Sequence, residues 1–168
     1  MTSSGLLHES GWITGSAEWY TPPHIFQALG LDFDLDPAAP PGGVPWIPAR
    51  RHFTQADDGL AQPWEGRVWL NPPYGRQIGS WLRRLAEHGD GIALVFARSD
   101  TAWFQELVPN AAAVCFLAGR LRFIPGDDRP DSSTAGAPSL LIAYGLPSAL
   151  AVAQSGLGQT FLVPRVSS

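Results

Sequence analysis

The sequence predicts an α/β fold in which a largely parallel sheet carries helices on both faces. Strand-like and helix-like segments alternate through the middle of the chain, which is the pattern of parallel sheets. Residues 92–96 are apolar throughout, as in a strand that is buried on both faces. The length of 168 residues suits one domain. We therefore expect a flexible leader at residues 1–16 and a single domain at residues 17–164.

The first predicted elements are a capped helix and an alternating strand. Thr21 is expected to cap the helix, Pro22 to occupy its first position, and Gly30 to end it. Residues 31–36 alternate between apolar side chains and aspartates, so all their apolar side chains should lie on one side of a strand. Residues 37–66 show no sustained periodicity and contain many turn residues.

The remaining elements follow from short apolar runs and helical spacing. Residues 67–70 form a short strand that leads into Asn71-Pro72-Pro73-Tyr74-Gly75. A helix with Ile78, Trp81, Leu82 and Leu85 on one side should end at Gly89. The other predicted elements are helices at 101–108 and 147–154 and strands at 112–117, 121–124, 140–144 and 160–163.

Composition and charge restrict the function only weakly. The net charge of −4 argues against binding nucleic acid by bulk electrostatics, although all eleven basic side chains are arginine. Arginine suits phosphates and guanine edges, but a GC-rich coding genome explains the same bias. No apolar run approaches the roughly 20 residues of a membrane span, and residues 1–16 do not resemble a signal peptide. The single cysteine, Cys115, is expected in the core and favours a reducing cytoplasm.

The sharpest chemical signal is the loop Asn71-Pro72-Pro73-Tyr74. Two successive prolines fix two φ angles and remove two backbone donors, which stiffens the loop. The Asn71 amide oxygen and a loop carbonyl can then accept the two protons of a planar amino group. Tyr74 offers an aromatic face for a base. A rigid turn with Tyr74 merely packed is the alternative. The four histidines are isolated, so no metal site is expected.

These residues resemble the amino-methyltransferases and, more narrowly, the phage-type DNA N6-adenine methyltransferase (Dam) family. The resemblance spans residues 18–145 and rests on several blocks in the expected order. The blocks are Glu18-Trp19-Tyr20-Thr21-Pro22, Asp36-Pro37-Ala38-Ala39, Phe53-Thr54, Asp57-Asp58-Gly59-Leu60, residues 68–75, residues 97–101, Trp103-Phe104, residues 119–123 and Ala137-Pro138-Ser139. It implies a Rossmann-like sheet, S-adenosylmethionine as the methyl donor, and adenine in double-stranded DNA as the acceptor.

The same resemblance implies roles for individual residues. Asn71, Pro72 and Pro73 would hold the amino group of a base flipped out of the helix, and Tyr74 would stack on that base. Three segments would bind the donor, although helix capping, a solvated strand end and an acidic turn explain them too. These segments are Trp19, Tyr20, Thr21 and Pro22; Asp36, Pro37 and Ala38; and Asp58, Gly59 and Leu60, with Asp58 favoured over Asp57.

The sequence departs from the wider superfamily in two respects. The glycine-rich turn after the first strand is missing, and residues 37–70 are too few for two full strand–helix units. The sheet should therefore be trimmed between the first strand and the Asn-Pro-Pro-Tyr strand. Arg98 and Trp103 are expected beside the base pocket, unless Trp103 anchors the following helix. Arg50, Arg51 and residues 126–136 are candidates for DNA contact.

Two other functions remain open at this point. Asn-Pro-Pro-Tyr loops also resemble those of enzymes that methylate guanine or adenine in RNA, or glutamine in proteins. A catalytically inactive module that keeps the donor pocket is the third possibility. The resemblance implies a phage or prophage origin and a role in the bacterial cytoplasm, such as protection from restriction or regulation. The target sequence and the oligomeric state are left open.

Overall fold

The structure, a computed structural model, describes residues 19–126 and 133–165, so the leader predicted at residues 1–16 lies outside the described residues. Its helices are α1 (Pro23–Leu29), α2 (Ile78–His88), α3 (Ala102–Leu107) and α4 (Leu146–Gln154). Its strands are β1 (Trp19–Tyr20), β2 (Phe33–Asp36), β3 (Ala49–His52), β4 (Val68–Leu70), β5 (Gly91–Phe96), β6 (Ala113–Leu117), β7 (Arg122–Pro125), β8 (Ser133–Thr134), β9 (Ser139–Tyr144) and β10 (Gly158–Leu162).

The main sheet is mixed rather than largely parallel. Its seven strands follow the order β10-β6-β9-β5-β4-β2-β3. β3, β2, β4 and β5 pair in parallel, whereas β5–β9, β9–β6 and β6–β10 are antiparallel. The expectation of a largely parallel sheet is therefore wrong for half of it. The prediction failed because β9 is buried on both faces. A strand buried on both faces is apolar throughout whether it runs parallel or antiparallel to its neighbours, so its sequence does not indicate its direction.

Helices cover both faces of this sheet, as predicted. α1 and α4 bury Ile25, Phe26 and Val152 against one face. α2 and α3 bury Leu82 and Leu107, with their neighbours, against the other. Strand side chains alternate between the two cores: Ile92, Leu94 and Phe96 of β5 join the α1/α4 core, and Ala93 and Val95 join the α2/α3 core.

The predicted alternation of β2 is wrong. Phe33 joins the α1/α4 core while Leu35 joins the α2/α3 core, so these two side chains do not share a face. The backbone explains the switch, because the amides of Asp34 and Leu35 both donate to the carbonyl of Arg67, at 2.7 and 3.3 Å. Such a doubled bond is the mark of a bulge, which re-aims the side chains that follow. The bulge turns the Asp36 side chain toward the protein interior, where it is buried.

The N-terminus of α1 also differs from the prediction. Pro22 occupies the cap position and Pro23 begins the helix, with no side chain capping it. Thr21 therefore does not cap the helix, and its side chain lies one residue further out. Gly30 ends α1 with a φ of 61°, and Gly89 ends α2 with a φ of 79°, as predicted for glycines in the left-handed region.

Two short pieces of sheet were not predicted. β3 lies in the stretch without periodicity, because three of its four side chains are exposed and its backbone alone pairs with β2. β1, β7 and β8 form a separate antiparallel sheet, so the predicted strand near residues 121–124 does not belong to the main one. Between β2 and β4 the structure has only β3 and a short 3-10 helix at Gln55–Asp57, in line with the expected trimming.

Candidate active site

The site forms where the strand order reverses. β3 and β4 both follow β2 in the chain, but they pair with opposite edges of β2 in the sheet. In open α/β sheets, ligands bind outside the carboxyl ends of the strands at such a point. Asp36 ends β2 and Asn71 directly follows β4. The two polar residues that the sequence singled out are therefore brought to neighbouring strand ends.

Asn71 is held by Thr21. The Asn71 Nδ2 group donates to Thr21 Oγ1 at 3.5 Å, and Thr21 is only 1% exposed. With Nδ2 turned toward Thr21, the Oδ1 atom has no hydrogen-bond partner among the described residues. Pro72 and Pro73 lack backbone N–H groups, and no described residue donates to the Pro72 carbonyl. Neither of these two acceptors has a hydrogen-bond partner within the part of the chain that the structure describes.

Tyr74 lies on an aromatic support. Its ring stacks on the Phe96 ring, with centroids 4.6 Å apart and planes 21° from parallel. Burial raises the pKa of the Tyr74 hydroxyl above its usual range, and the Phe96 backbone and the Arg98 charge only partly oppose this. The phenol is therefore neutral at ordinary pH. Phe96, at the end of β5, was not recognised from the sequence because it reads simply as the last core residue of a buried strand.

The Trp-Tyr-Thr-Pro segment is fixed by a residue that the sequence did not identify. The indole Nε1 of Trp46 donates to the carbonyl of Thr21 at 2.8 Å. Its ring meets Tyr20 edge-on, with centroids 5.9 Å apart. Pro22 is buried, and Trp19 and Tyr20 are half-buried. A tryptophan in an otherwise proline- and glycine-rich stretch was the available signal. These contacts fix the segment that is predicted to bind the methyl donor, and the Thr21–Asn71 hydrogen bond joins it to the Asn-Pro-Pro-Tyr loop.

Asp36 lines a cavity at the other end of the site. The cavity measures about 160 Å³ and is bordered by Asp36, Gly42, Gly43, Val44, Pro45, Ile47, Ala49 and His52. Burial raises the pKa of the Asp36 carboxyl to about 7, and the backbone hydrogen bond from Ala38 partly opposes the shift. The alternative interpretation of Asp36 as a solvated strand end is therefore excluded. His52, opposite Asp36 on β3, was missed because residues 37–66 gave no pattern.

The structure distinguishes the two neighbouring aspartates. The Asp57 carboxylate accepts from the amide and the hydroxyl of Thr54 at 2.8 and 2.9 Å, and these bonds lower its pKa. Asp58 is exposed, with a left-handed φ of 54°, and no described residue bonds its carboxylate. Gly59 lies so close to the chain that an added Cβ would stand 2.0 Å from the Pro37 carbonyl oxygen. This approach brings the Asp58 loop to the end of β2.

The other predicted site residues have mainly packing contacts. Ala38 and Leu60 pack on the α2/α3 core. Trp103 packs on the same core and meets Gly79 of α2, whose added Cβ would lie 3.7 Å from the Trp103 Cβ. These contacts are those of a helix anchor, one of the two roles that the sequence left open. Arg98 is exposed, and its charge acts on the Tyr74 hydroxyl.

The candidates for DNA contact lie on exposed surface. Arg50 is within 3.9 Å of Asp34, and Arg51 is within 3.6 Å of Glu65. Exposed pairs of this kind contribute little to the stability of a protein. Of the predicted contact loop at residues 126–136, residues 127–132 lie outside the described residues. Its role stays a prediction.

Residues 19–126 and 133–165 contain neither a cluster of metal ligands nor a membrane-spanning helix. Within those ranges no three His, Cys, Asp or Glu side chains come together as metal ligands would. No helix there has the length and apolar character required to cross a bilayer. Cys115 is buried as a free thiol, as the sequence predicted.

Comparison with known proteins gives one match. The family model described as DNA N-6-adenine-methyltransferase (Dam) matches residues 14–147. No curated protein and no solved structure matches the chain. The matched residues make up most of the chain and include every side chain placed in the site above. A match of this extent is sufficient to assign the family.

Proposed function

The chain belongs to the DNA N-6-adenine-methyltransferase (Dam) family, and we propose that it transfers a methyl group from S-adenosylmethionine to a flipped adenine. The family implies the general activity, which is methylation of the adenine N6 amino group in DNA. The donor, the flipped base and the roles of single residues are our proposal. The orientation of Asn71 carries it, because this side chain presents an unpartnered acceptor beside the carbonyl of Pro72.

The two acceptors match the chemistry of an aromatic amine. The nitrogen lone pair of adenine N6 is delocalised into the ring, so the amine is a weak nucleophile. Hydrogen bonds from its two N–H groups to Asn71 Oδ1 and the Pro72 carbonyl would polarise it toward the attacking form. These hydrogen bonds strengthen as positive charge develops on the nitrogen in the transition state. Fixed dipoles contribute most to catalysis when they stabilise charge that develops in this way. Prolines 72 and 73 keep the acceptors in place because the loop has little freedom to relax.

Tyr74 would position the base. An enzyme that modifies N6 from within a closed pocket must take the nucleotide out of the duplex. The Phe96 ring covers one face of Tyr74, and the opposite face would stack on the flipped adenine. Because Phe96 fixes the ring plane, Tyr74 would offer a preset surface rather than one that forms on binding.

The cavity and the acidic side chains fit the proposed donor. S-adenosylmethionine supplies a methyl group activated on a positively charged sulfur. Asp36 and Asp58 would accept hydrogen bonds from its nucleoside, with Pro37, Ala38, Gly59 and Leu60 shaping that end. The cavity of about 160 Å³ is smaller than the roughly 300–1,000 Å³ of ordinary ligand pockets. The methionine end would therefore extend toward Trp19, Tyr20, Thr21 and Pro22, beside Asn71.

The sheet supports a Rossmann-like arrangement in reduced form. The parallel half β3-β2-β4-β5 has the switch in strand order at which such folds bind nucleotides. The connection from β2 to β4 contains β3 but no α-helix, so one strand–helix unit is absent. We propose that this is a methyltransferase sheet trimmed between its first strand and the Asn-Pro-Pro-Tyr strand.

We further propose double-stranded DNA as the partner and the bacterial cytoplasm as the compartment. With a net charge of −4, attraction to DNA would be local rather than global. Arg98, next to Tyr74, and the exposed Arg50 and Arg51 are the candidate phosphate contacts. Trp103 would anchor α3 on α2 rather than border the base pocket. A phage or prophage role in protecting DNA from restriction would agree with the family.

An acceptor competition tests the proposal. Labelled S-adenosylmethionine is offered with equal amounts of unmethylated DNA, RNA and a protein mixture, and the label in each acceptor is counted. We expect label in DNA, absent with an Asn71→Ala variant that still binds the donor. Label in RNA or protein instead would assign the site to the alternative, amine methylation of an RNA base or a glutamine. Donor binding without transfer to any acceptor would indicate an inactive binding module.

A further inference from the structure

Trp64 holds the loop that carries Asp58. Its indole Nε1 donates to the carbonyl of Gly59 at 2.8 Å, and this hydrogen bond is buried. Gly59 directly follows Asp58 in the chain, so the bond fixes the peptide next to the Asp58 carboxylate. The Trp64 side chain belongs to the α2/α3 core. The core is therefore joined to the Asp58 loop through a single buried N–H group.

The backbone of Asp58 depends on contacts of this kind. Its φ of 54° lies in the left-handed region, which a residue with a side chain seldom adopts without support from its surroundings. The amide of Ala61 donates to the Asp58 carbonyl at 2.9 Å. Gly59 is closely enclosed, because an added Cβ would stand 2.0 Å from the Pro37 oxygen and 3.2 Å from the Trp81 ring. The neighbours of Asp58 thus hold its conformation from both sides.

Helix α2 supports Trp64 in turn. The Trp64 ring stacks on Trp81, with centroids 6.3 Å apart and planes 26° from parallel. The guanidinium of Arg84 lies 5.3 Å from the centroid of the Trp64 ring, within the range of a cation–π contact. Arg84 also donates to the carbonyl of Gln62 at 3.1 Å. These contacts fix the indole in the orientation that reaches Gly59.

The same helix adjoins the loop that is proposed to hold the adenine amine. α2 begins at Ile78, shortly after Asn71-Pro72-Pro73-Tyr74, and it carries both Trp81 and Arg84. One helix therefore supports the two loops that would bring the methyl donor and the acceptor together. Trp64 is the side chain through which α2 reaches the donor loop.

We propose that Trp64 is a positioning residue for the methyl donor, and that its hydrogen bond to Gly59 sets the conformation in which the Asp58 carboxylate meets the nucleoside of S-adenosylmethionine. The inference rests on the proposed function, in which Asp58 accepts hydrogen bonds from that nucleoside. Asp58 is exposed, so its carboxylate is open to a ligand. Without the Trp64 bond the Gly59 carbonyl would be buried and unpaired, which is unfavourable. The loop would shift to relieve this, and the carboxylate would move with it.

A double-mutant cycle tests this coupling. The affinity for S-adenosylmethionine is measured by calorimetry for wild type, Trp64→Phe, Asp58→Asn and the double variant. Phenylalanine keeps an aromatic ring but lacks the N–H, and asparagine tolerates the left-handed φ but lacks the charge. We expect Trp64→Phe to weaken binding about tenfold, as for the loss of one buried hydrogen bond, and Asp58→Asn to weaken it at least as much. In the Asp58→Asn background, Trp64→Phe should weaken binding little further.

Kinetics and a matched control separate positioning from a general loss of structure. Trp64→Phe should raise the KM for the donor and leave kcat unchanged, as when binding alone is lost. Tyr144→Phe also removes one buried hydrogen bond from an aromatic side chain to a backbone carbonyl in the α2/α3 core, and it should leave donor affinity unchanged. Arg84→Met removes the cation over Trp64 and the bond to Gln62. It should weaken donor binding in the same direction, and it replaces Trp64→Phe in the cycle if that variant does not fold.

The outcomes distinguish this inference from the proposed function. Wild-type affinity in Trp64→Phe, or losses that add fully in the double variant, would overturn the positioning role and leave the proposed function intact. Unchanged affinity in Asp58→Asn would remove Asp58 from the donor site and overturn the inference with it. A wild type that binds no S-adenosylmethionine would refute the proposed function itself.

Discussion

Replacement of Tyr74 tests the proposed base-binding surface. Removing an aromatic ring on which a base stacks costs roughly 1–3 kcal/mol, which corresponds to about a 5- to 150-fold fall in kcat/KM. We therefore expect Tyr74→Ala to fall within that range on unmethylated DNA. Tyr74→Phe should stay within about threefold of wild type, because the Tyr74 phenol is neutral and stacking needs only the ring.

The stability of the Tyr74 variants has to be measured alongside activity. Tyr74→Ala also loses its stack on Phe96, and such pairs contribute about 0.5–1.5 kcal/mol beyond the area that they bury. Urea unfolding measures this loss separately. Tyr144→Phe is the control, because the Tyr144 hydroxyl donates to the Leu107 carbonyl at 2.9 Å away from the proposed site. It should lower the free energy of unfolding by about 0.5–1.5 kcal/mol and leave kcat/KM unchanged.

The activity losses can be assigned from these data. Steady-state assays with labelled donor should be run at a temperature where all variants are folded. A fully folded Tyr74→Ala enzyme with wild-type kcat/KM would refute the stacking role. So would a Tyr74→Phe variant as impaired as Tyr74→Ala, since the hydroxyl rather than the ring would then matter.

Three further predictions concern the rest of the site. Asn71→Ala should reduce the rate of methyl transfer at least about 100-fold, with little change in the affinity for the methyl donor measured by calorimetry. An unchanged rate would refute the role of the Asn71 amide oxygen. Because the pKa of Asp36 is raised to about 7, the native state binds more protons than the unfolded one between pH 4 and 7, so stability should fall as pH rises through this range. Asp36→Asn should flatten the dependence of the free energy of unfolding on pH. The affinity of the wild type for the methyl donor should increase toward pH 8 as the carboxylate ionises. A wild-type free energy of unfolding that does not change with pH would contradict the burial argument. Gly59→Ala should weaken binding of the methyl donor in calorimetry, because its Cβ would lie 2.0 Å from the Pro37 carbonyl oxygen. Gly79→Ala, whose Cβ would lie 3.7 Å from its nearest neighbour, should bind the methyl donor normally. Equal affinities of the two variants would show that the close approach of Gly59 to Pro37 does not shape the site.

The elements with strong local signals were predictable. α2 followed from its apolar spacing and from Gly89 at its end, and β5 from an unbroken apolar run. The Asn71–Tyr74 loop was placed correctly at a strand end because two prolines after a short apolar strand leave few alternatives. These features depend on residues that are close together in the chain.

The features that were missed depend on tertiary contacts. The direction of β9 is set by pairing with β5 and β6, and nothing within its own residues encodes it. The switch of faces in β2 comes from a doubled hydrogen bond to Arg67, more than thirty positions away. Thr21 looked like a helix cap, yet its side chain accepts a hydrogen bond from Asn71 across the site. His52 and Trp46 lie in a stretch held by tertiary contacts rather than by a periodic pattern.

The most direct test of the central claim is the chemical identity of the methylated product. Unmethylated DNA is incubated with S-adenosylmethionine and either wild-type protein or Asn71→Ala, digested to nucleosides, and analysed by mass spectrometry. The account predicts N6-methyldeoxyadenosine with wild type and only a trace with the variant. Methylation of cytosine, or the same yield of N6-methyldeoxyadenosine from Asn71→Ala, would contradict it.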